Sequence, residues 1–133
     1  MEVKAKPDTR LNQLVRSRAI EWQPLDEPGV SGVCVKVLRV DAEAGRAPTI
    51  LLKFEPGASY PAHRHPGGEE IFVLEGDIRL GKDRLLAGDY LYTAPGNTHG
   101  VQSDEGCVVL VSVPQEVEKL PPRVPAPPDQ PPR

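Results

Sequence analysis

The stretch GASYPAHRHPGGEEIFVLEG, residues 57–76, places two strand-like segments on either side of a proline–glycine turn. Its second half, EEIFVLE (69–75), carries the β-branched and aromatic residues that are typical of strands. No helical segment of useful length separates it from the other strand-like runs, so a parallel sheet with crossover helices is excluded. We predict an all-β, antiparallel sandwich or barrel. The other runs are GVCVKV (32–37), TILLKFE (49–55), DYLYT (89–93) and CVVLVSV (107–113).

Two of these segments, EEIFVLE (69–75) and CVVLVSV (107–113), are apolar at both odd and even positions. Because successive side chains of a strand point to opposite faces, such a segment is typically buried on both sides. We therefore expect both strands to lie deep in the barrel.

Composition limits the classes of protein that this chain can represent. Its 133 residues, 38% hydrophobic and 26% charged, suit one small domain. The net charge of −3 argues against nucleic acid as a partner, and the two cysteines argue against a disulfide framework or a cysteine-built zinc site. We find neither a run of about 18 apolar residues for a membrane helix nor an apolar secretion signal. We therefore expect a cytoplasmic protein without a membrane partner.

Proline is distributed unevenly and suggests three regions. Eight of the sixteen prolines lie in 114–133, where few apolar residues are available for burial. We predict an N-terminal arm (1–20), a β-barrel (21–113) and a disordered, proline-rich tail (114–133).

The three histidines are the most informative residues for function. His63 and His65 are two residues apart, so in an extended segment both imidazoles project from one face. The turn after them lets Glu69 or Glu70 return beside the pair, and His99 begins another strand. Three neutral imidazoles and one carboxylate suit a divalent first-row ion with open coordination positions. We predict one divalent transition metal per chain: Fe, Mn, Ni, Zn or Cu.

These residues resemble the first motif of the cupin superfamily, G(x)5HxH(x)3,4E(x)6G. Gly57, His63, His65, Glu69 and Gly76 match it throughout. The resemblance implies a jelly-roll barrel with the metal inside, held by His63, His65, Glu69 and His99. The six-residue gap before Gly76 favours Glu69 over Glu70, which is the fallback ligand.

The second cupin motif, G(x)5PxG(x)2H(x)3N, is matched at Gly88, Gly96 and His99. Ala94 stands at its proline position, and Ser103 stands at its asparagine position. Both departures concern turn and support residues, so the ligand assignment of His99 is unaffected.

More narrowly, HRHPGGEEIFVLEG (63–76), AGDYLYTAPGNTHG (87–100) and SDEGCVVLV (103–111) resemble the cupin domain of ChrR-type anti-sigma factors and their single-domain relatives. In those regulators a separate helical zinc-binding domain, which uses a cysteine pair, holds the sigma factor. Cys34 and Cys107 are 73 positions apart and form no CxxC, so anti-sigma activity is not implied.

Two functions fit this combination. The first is a metal-dependent, dioxygenase-like enzyme acting on a small organic molecule, and the second is a non-catalytic metal- or ligand-sensing module. The sequence identifies no general acid or base beyond the ligands and so assigns no catalytic residue. Tyr60 and Phe72 are near enough in sequence to the histidines to line a cavity.

Assembly is predicted from the strand edges. An opened barrel of this size exposes unpaired amides, and the strand around Val33–Val37 carries little charge and no proline to protect its edge. We expect a homodimer formed through residues 20–40, and cupins similar to this chain commonly pair through such strands. The alternative is that the N-terminal arm covers this edge within one subunit.

Overall fold

The computed structural model describes residues 10–41, 46–114 and 118–119. One 3₁₀ turn, Ser17–Ala19, precedes the strands. The described strands, in chain order, are β1 Gln23–Pro24, β2 Ser31–Arg39, β3 Thr49–Arg64, β4 Glu69–Leu80, β5 Asp83–Leu86, β6 Tyr90–Thr93, β7 Thr98–Gln102, β8 Cys107–Ser112 and β9 Glu118–Lys119.

The strands form a closed antiparallel barrel. The two long strands, β3 and β4, each pair with β7 near one end and with β8 near the other. This ring of four strands is extended by β1 and β2 beside β3, and by β5 and β6 beside β4. The predicted all-β, antiparallel fold is confirmed.

The barrel interior is filled by one face of each long strand. In β4, Glu69, Ile71 and Val73 are buried, whereas Phe72 and Leu74 are 40% and 45% exposed. Our expectation that EEIFVLE is buried on both sides is therefore wrong, because the outer face of β4 borders no second layer in the described chain. In β8, every second residue is buried and the others are half-buried.

A β-bulge in β3 changes which side chains face inward. Tyr60 pairs with Val101 of β7 and His63 pairs with His99, so three steps along β3 match two along β7. The extra residue shifts the alternation by one position. As a result, Tyr60 and His63 both line the barrel interior, although a regular strand would place them on opposite faces.

The N-terminal segment covers part of the outer face of β2. Lys36 is 9% exposed, its Nζ donates to the carbonyl of Ser17 at 2.8 Å, and it lies 4.6 Å from the centre of the Trp22 ring. These contacts satisfy a charge that would otherwise be costly to bury. Ser17 and Trp22 thus pack on the outer face of β2 within the subunit.

Asp77, within β4, binds the turn between β7 and β8. Its carboxylate accepts hydrogen bonds from the amide of Glu105 at 2.8 Å and from the amide of Asp104 at 3.4 Å. The Ser103 hydroxyl, at the asparagine position of the second motif, donates to the Asp77 carbonyl at 2.7 Å. Burial raises the pKa of Asp77, but these amides and Arg84 outweigh burial and hold it below its usual value. Ser103 is fully buried, and its hydrogen bond to the Asp77 carbonyl supports this turn.

The region predicted as a tail contributes one short strand. In β9, Lys119 pairs with His63 and Glu118 pairs with Arg64 of β3. The barrel therefore includes backbone beyond the predicted boundary at Val113. The predicted disorder of the remaining tail concerns residues that lie outside the described chain.

In the described ranges, no helix has the length and apolar character required to span a bilayer.

Candidate metal centre

Four side chains from three strands converge at one end of the barrel. His63 and His65 come from the end of β3 and the turn after it, Glu69 from the start of β4, and His99 from β7. Each offers a ligand atom, and these atoms all lie within 4.8 Å of one another. The cluster therefore unites the four residues that the sequence predicted as ligands.

The shortest distances within the cluster centre on His65. Its Nε2 lies 3.2 Å from His99 Nε2 and 3.2 Å from Glu69 Oε2. His99 Nε2 lies 3.5 Å from Glu69 Oε1. Ring nitrogens and carboxylate oxygens that lie this close together are arranged like metal ligands, which all point to the position of one ion.

Two turns hold His65 in place. Its carbonyl accepts hydrogen bonds from the amide of Gly68 at 3.2 Å and from the amide of Gly96 at 2.9 Å. Gly68 has φ +85°, and a Cβ there would lie 3.0 Å from the carbonyl of Thr93. Glycine is needed at this position because both the conformation and the close approach disfavour a side chain. The turns of the two sequence motifs thus meet at one carbonyl.

Burial favours the uncharged forms of His65, His99 and Glu69 in the absence of a cation. Burial, followed by repulsion from the other histidines, lowers the pKa of His65 to about 4, and it lowers that of His99 similarly. Burial also raises the pKa of Glu69 to about 8. At neutral pH the close His65–Glu69 contact therefore joins two neutral groups and not an ion pair.

These four residues fit a divalent ion. The Glu69 Oε1 atom is buried without a hydrogen-bond partner in the described chain, which is costly unless a ligand satisfies it. His63 Nδ1 lies 2.8 Å from the carbonyl of Pro61, and donation of its proton there directs the other ring nitrogen, Nε2, to act as a ligand. Neutral imidazoles and a carboxylate are common ligands of first-row divalent metals.

The two candidate carboxylates face opposite sides of β4. Glu69 is 5% exposed and lies in the cluster, whereas Glu70 is exposed and accepts a hydrogen bond from the Tyr90 hydroxyl at 2.8 Å. Phe72 shares this outer face and does not line the cavity, contrary to the expectation from its position in the sequence. Glu70 therefore cannot join the cluster without a change in strand register.

Metal binding at pH 7 should release close to one proton per ion. Glu69, with a pKa of about 8, is mostly protonated at pH 7, whereas coordination requires its carboxylate. His65 and His99 are already neutral and add no proton. Calorimetric titration in two buffers of different ionisation enthalpy measures the release, which should vanish near pH 9 and in Glu69→Gln. Equal release from Glu69→Gln would contradict this source of the proton.

A cavity of about 310 Å³ opens beside the cluster. Its walls are almost entirely apolar, and His63, His65 and Glu69 lie at its surface. Tyr60 and Glu27 also line it, and the Tyr60 hydroxyl donates to Glu27 Oε2 at 2.6 Å. Burial, followed by the hydrogen bond and charge of Glu27, raises the pKa of Tyr60, so the phenol keeps its proton.

Sequence reasoning missed Glu27. It lies in the loop between β1 and β2, 33 positions before Tyr60, and nothing in its local pattern marks it. The contact depends on the inward position that the bulge gives Tyr60.

A curated protein and two solved structures are similar to this chain. DNA damage-repair/toleration protein DRT102 from Arabidopsis thaliana is 33% identical over 93 residues, which cover 64% of this chain and 27% of that protein. The chain thus spans about a quarter of this relative. The acetylacetone dioxygenase from Acinetobacter johnsonii superposes with a TM-score of 0.78 over 92% of this chain and 86% of that chain, at 17% identity. That likeness shows the shared fold.

The second solved structure is Rhodobacter sphaeroides SigE in complex with the anti-sigma ChrR. One chain of this complex superposes with a TM-score of 0.61 and 28% identity, and the match covers 74% of this chain and 50% of that chain. The family model of the ChrR cupin-like domain matches residues 11–115, which are most of the sequence. This chain belongs to the ChrR cupin-like domain family.

Proposed function

We propose that this protein is a metal-dependent enzyme that acts on a small organic molecule by dioxygenase-like chemistry. The observation that carries the proposal is the position of the His63, His65, Glu69 and His99 cluster beside an apolar cavity of about 310 Å³. Cavities of this size and lining accommodate small molecules. The shared fold with an acetylacetone dioxygenase is consistent with this function.

The protein residues have separate tasks in this proposal. The four ligands hold one divalent transition metal and leave positions for reactants. The ion would supply Lewis-acid polarisation of a small molecule and, if it is redox-active, electrons for reaction with dioxygen. The valine, isoleucine and leucine side chains of the cavity exclude water and pack against the apolar part of the substrate.

A second function is favoured by the family. The ChrR cupin-like model and the likeness to a chain of the SigE–ChrR complex suggest a module that senses a metal-bound ligand or oxidant without turnover. In this case occupancy of the same cavity would alter a surface that another protein binds.

Oxygen uptake distinguishes the two functions. Protein purified without added metal is analysed for its ion, reloaded with that ion, and assayed for oxygen consumption with a panel of small diketones and phenolics. Catalytic consumption that disappears in Glu69→Gln, but persists in the matched outer-face variant Glu70→Gln, is expected for the enzyme. Binding of panel members without oxygen consumption would support the sensing module and contradict the enzyme.

We also propose that the protein forms a homodimer. In the residues described, the outer edge of β2 pairs with β1 at Cys34 and Val35, and the carbonyl of Val33 accepts a hydrogen bond from the amide of Leu25. The edge beyond Val35 is available to a second copy. Light scattering should give close to twice the 14.5 kDa chain mass at tens of micromolar. Leu38→Asp, in the part of β2 beyond its pairing with β1, should then lower the mass, whereas Leu11→Asp should not. A monomeric mass for the unmodified protein would contradict the dimer.

A further inference from the structure

The cavity beside the metal cluster is bounded by two kinds of surface. Its side chains on β4 and β8, Ile71, Val109 and Val111, are at most 4% exposed. Those on β2 and the first half of β3 also line the cavity, but they are half-buried. These half-buried residues form the β2–β3 wall: Val35, Val37, Ile50 and Leu52. Because they face the interior and still keep exposed surface, the open space of the cavity lies over this wall.

The strand register connects the β2–β3 wall to the metal cluster. Val37 of β2 pairs with Ile50 of β3, and Ile50 pairs with Val111 of β8. Val111 pairs with Ile71 of β4, which lies two residues after Glu69 of the cluster. Adjacent strands lie about 4.8 Å apart, so three spacings separate Ile71 from Val37 by about 14 Å. A continuous apolar surface of this length therefore leads from the cluster to β2.

The volume of the cavity limits the size of a ligand. If each non-hydrogen atom takes about 30 Å³, as a water molecule does in the liquid, the volume of about 310 Å³ holds about ten such atoms. A metal-binding group such as a hydroxamate uses about four of them, which leaves about six for the rest of the molecule. Every side chain of the β2–β3 wall is aliphatic, so the rest of the molecule gains affinity there by burying apolar surface.

We infer that the β2–β3 wall determines ligand specificity, and that it selects molecules whose metal-binding group carries one apolar group of about six carbon atoms. Val35 and Val37 are the specificity-determining residues, because β2 is the strand of this surface farthest from the cluster. This inference rests on the proposed binding of a small molecule in the metal cavity, and it names the ligand class for that site.

A series of hydroxamates tests the inference on the full chain loaded with Zn²⁺, which supports no redox turnover. Calorimetry measures the dissociation constants of acetohydroxamate and of its butano-, hexano-, octano- and decano- homologues. Each added methylene should tighten binding by up to about fourfold, so hexanohydroxamate should bind at least about tenfold more tightly than acetohydroxamate. Beyond octanohydroxamate the gain should fall below about 1.5-fold per methylene, because the wall is then already covered.

Val35→Phe and Val37→Phe should each fill the space over the wall. The ratio of hexanohydroxamate to acetohydroxamate affinity should fall at least about threefold, whereas the affinity for acetohydroxamate, which contacts little beyond the ion, should change less than about twofold. Val108→Phe is the matched control, because Val108 is a half-buried valine on the outer face of β8, and it should keep the native ratio. Metal content and circular dichroism check each variant.

An alanine variant keeps the test conclusive if phenylalanine prevents folding. The double variant Val35→Ala/Val37→Ala removes the methyl groups of both valines, so the chain of a long probe contacts fewer wall atoms. The affinity ratio should again fall at least about threefold.

A native ratio below about tenfold, including no binding by hexanohydroxamate, would overturn the inference. A fall of less than about threefold in both phenylalanine variants, or in the alanine variant if neither of them folds, would also overturn it. Undiminished gains up to decanohydroxamate would contradict the size limit. Oxygen consumption is not a readout here, so absence of dioxygenase activity would remove the enzyme and leave this selectivity to the sensing module.

Discussion

Replacing His99 with alanine should lower bound divalent metal from close to one ion per chain to a small fraction of that value. The expected loss is large because His99 closes the cluster from a separate strand, with its Nε2 only 3.2 Å from His65 Nε2. Three remaining ligands hold a first-row ion less tightly than four. Elemental analysis after exhaustive dialysis measures the occupancy, and circular dichroism checks the fold.

A pair of adjacent carboxylates provides the matched control. Glu69→Gln should reduce occupancy because Glu69 is in the cluster, whereas Glu70→Gln should leave it unchanged because Glu70 lies on the outer face. If each of the three single variants, His63→Ala, His65→Ala and His99→Ala, kept full metal occupancy, the metal would have to bind elsewhere.

Gly76→Ala should destabilise the protein by more than about 3 kcal/mol, or prevent folding. A Cβ at Gly76 would lie 1.9 Å from the carbonyl oxygen of Gly106, which is far inside contact distance. The residue also has φ +76°, which costs other L-residues about 1–2 kcal/mol. Strand β4 and the turn between β7 and β8 would therefore have to separate, which would disturb the hydrogen bonds from this turn to Asp77.

Gly88→Ala separates the two causes. Gly88 has φ +91°, but a Cβ there would meet no heavy atom within 4 Å. This variant should lose only about 1–2 kcal/mol, the cost of the backbone conformation alone. Urea unfolding compares both variants with the unmodified protein. Equal losses at the two positions would show that the Gly76–Gly106 contact is relieved without cost.

The general fold and the site were predictable because they depend on local patterns. Strand periodicity and the near absence of helix led to an antiparallel β-fold, which the structure confirms. His63 and His65 are two residues apart, so their shared face follows from strand geometry. The pairing of His63 with His99, which brings in the third imidazole, is a long-range contact that the cupin motifs anticipate.

Other features were not predictable because they depend on tertiary structure. Strand EEIFVLE has the same apolar pattern whether a second layer covers its outer face or not, so the exposure of Phe72 had no sequence signal. The bulge between Tyr60 and His63 reverses the facing of earlier residues, and Pro61, which lies in it, is typical of edge strands as well as of bulges. The hydrogen bond between Tyr60 and Glu27 depends on this reversal, which places the Tyr60 hydroxyl beside Glu27.

The separation of the ligands along the chain has a consequence for the order of folding. His63 and His99 are 36 positions apart, and their pairing across β3 and β7 requires the intervening strands to be in place. Contacts of this range form late and slowly, since the entropy of loop closure is lost before they form. A nascent fragment that ends before β7 would lack the third imidazole. High-affinity metal uptake should therefore follow barrel closure, and the bound ion can serve as a kinetic marker for completion of the native topology.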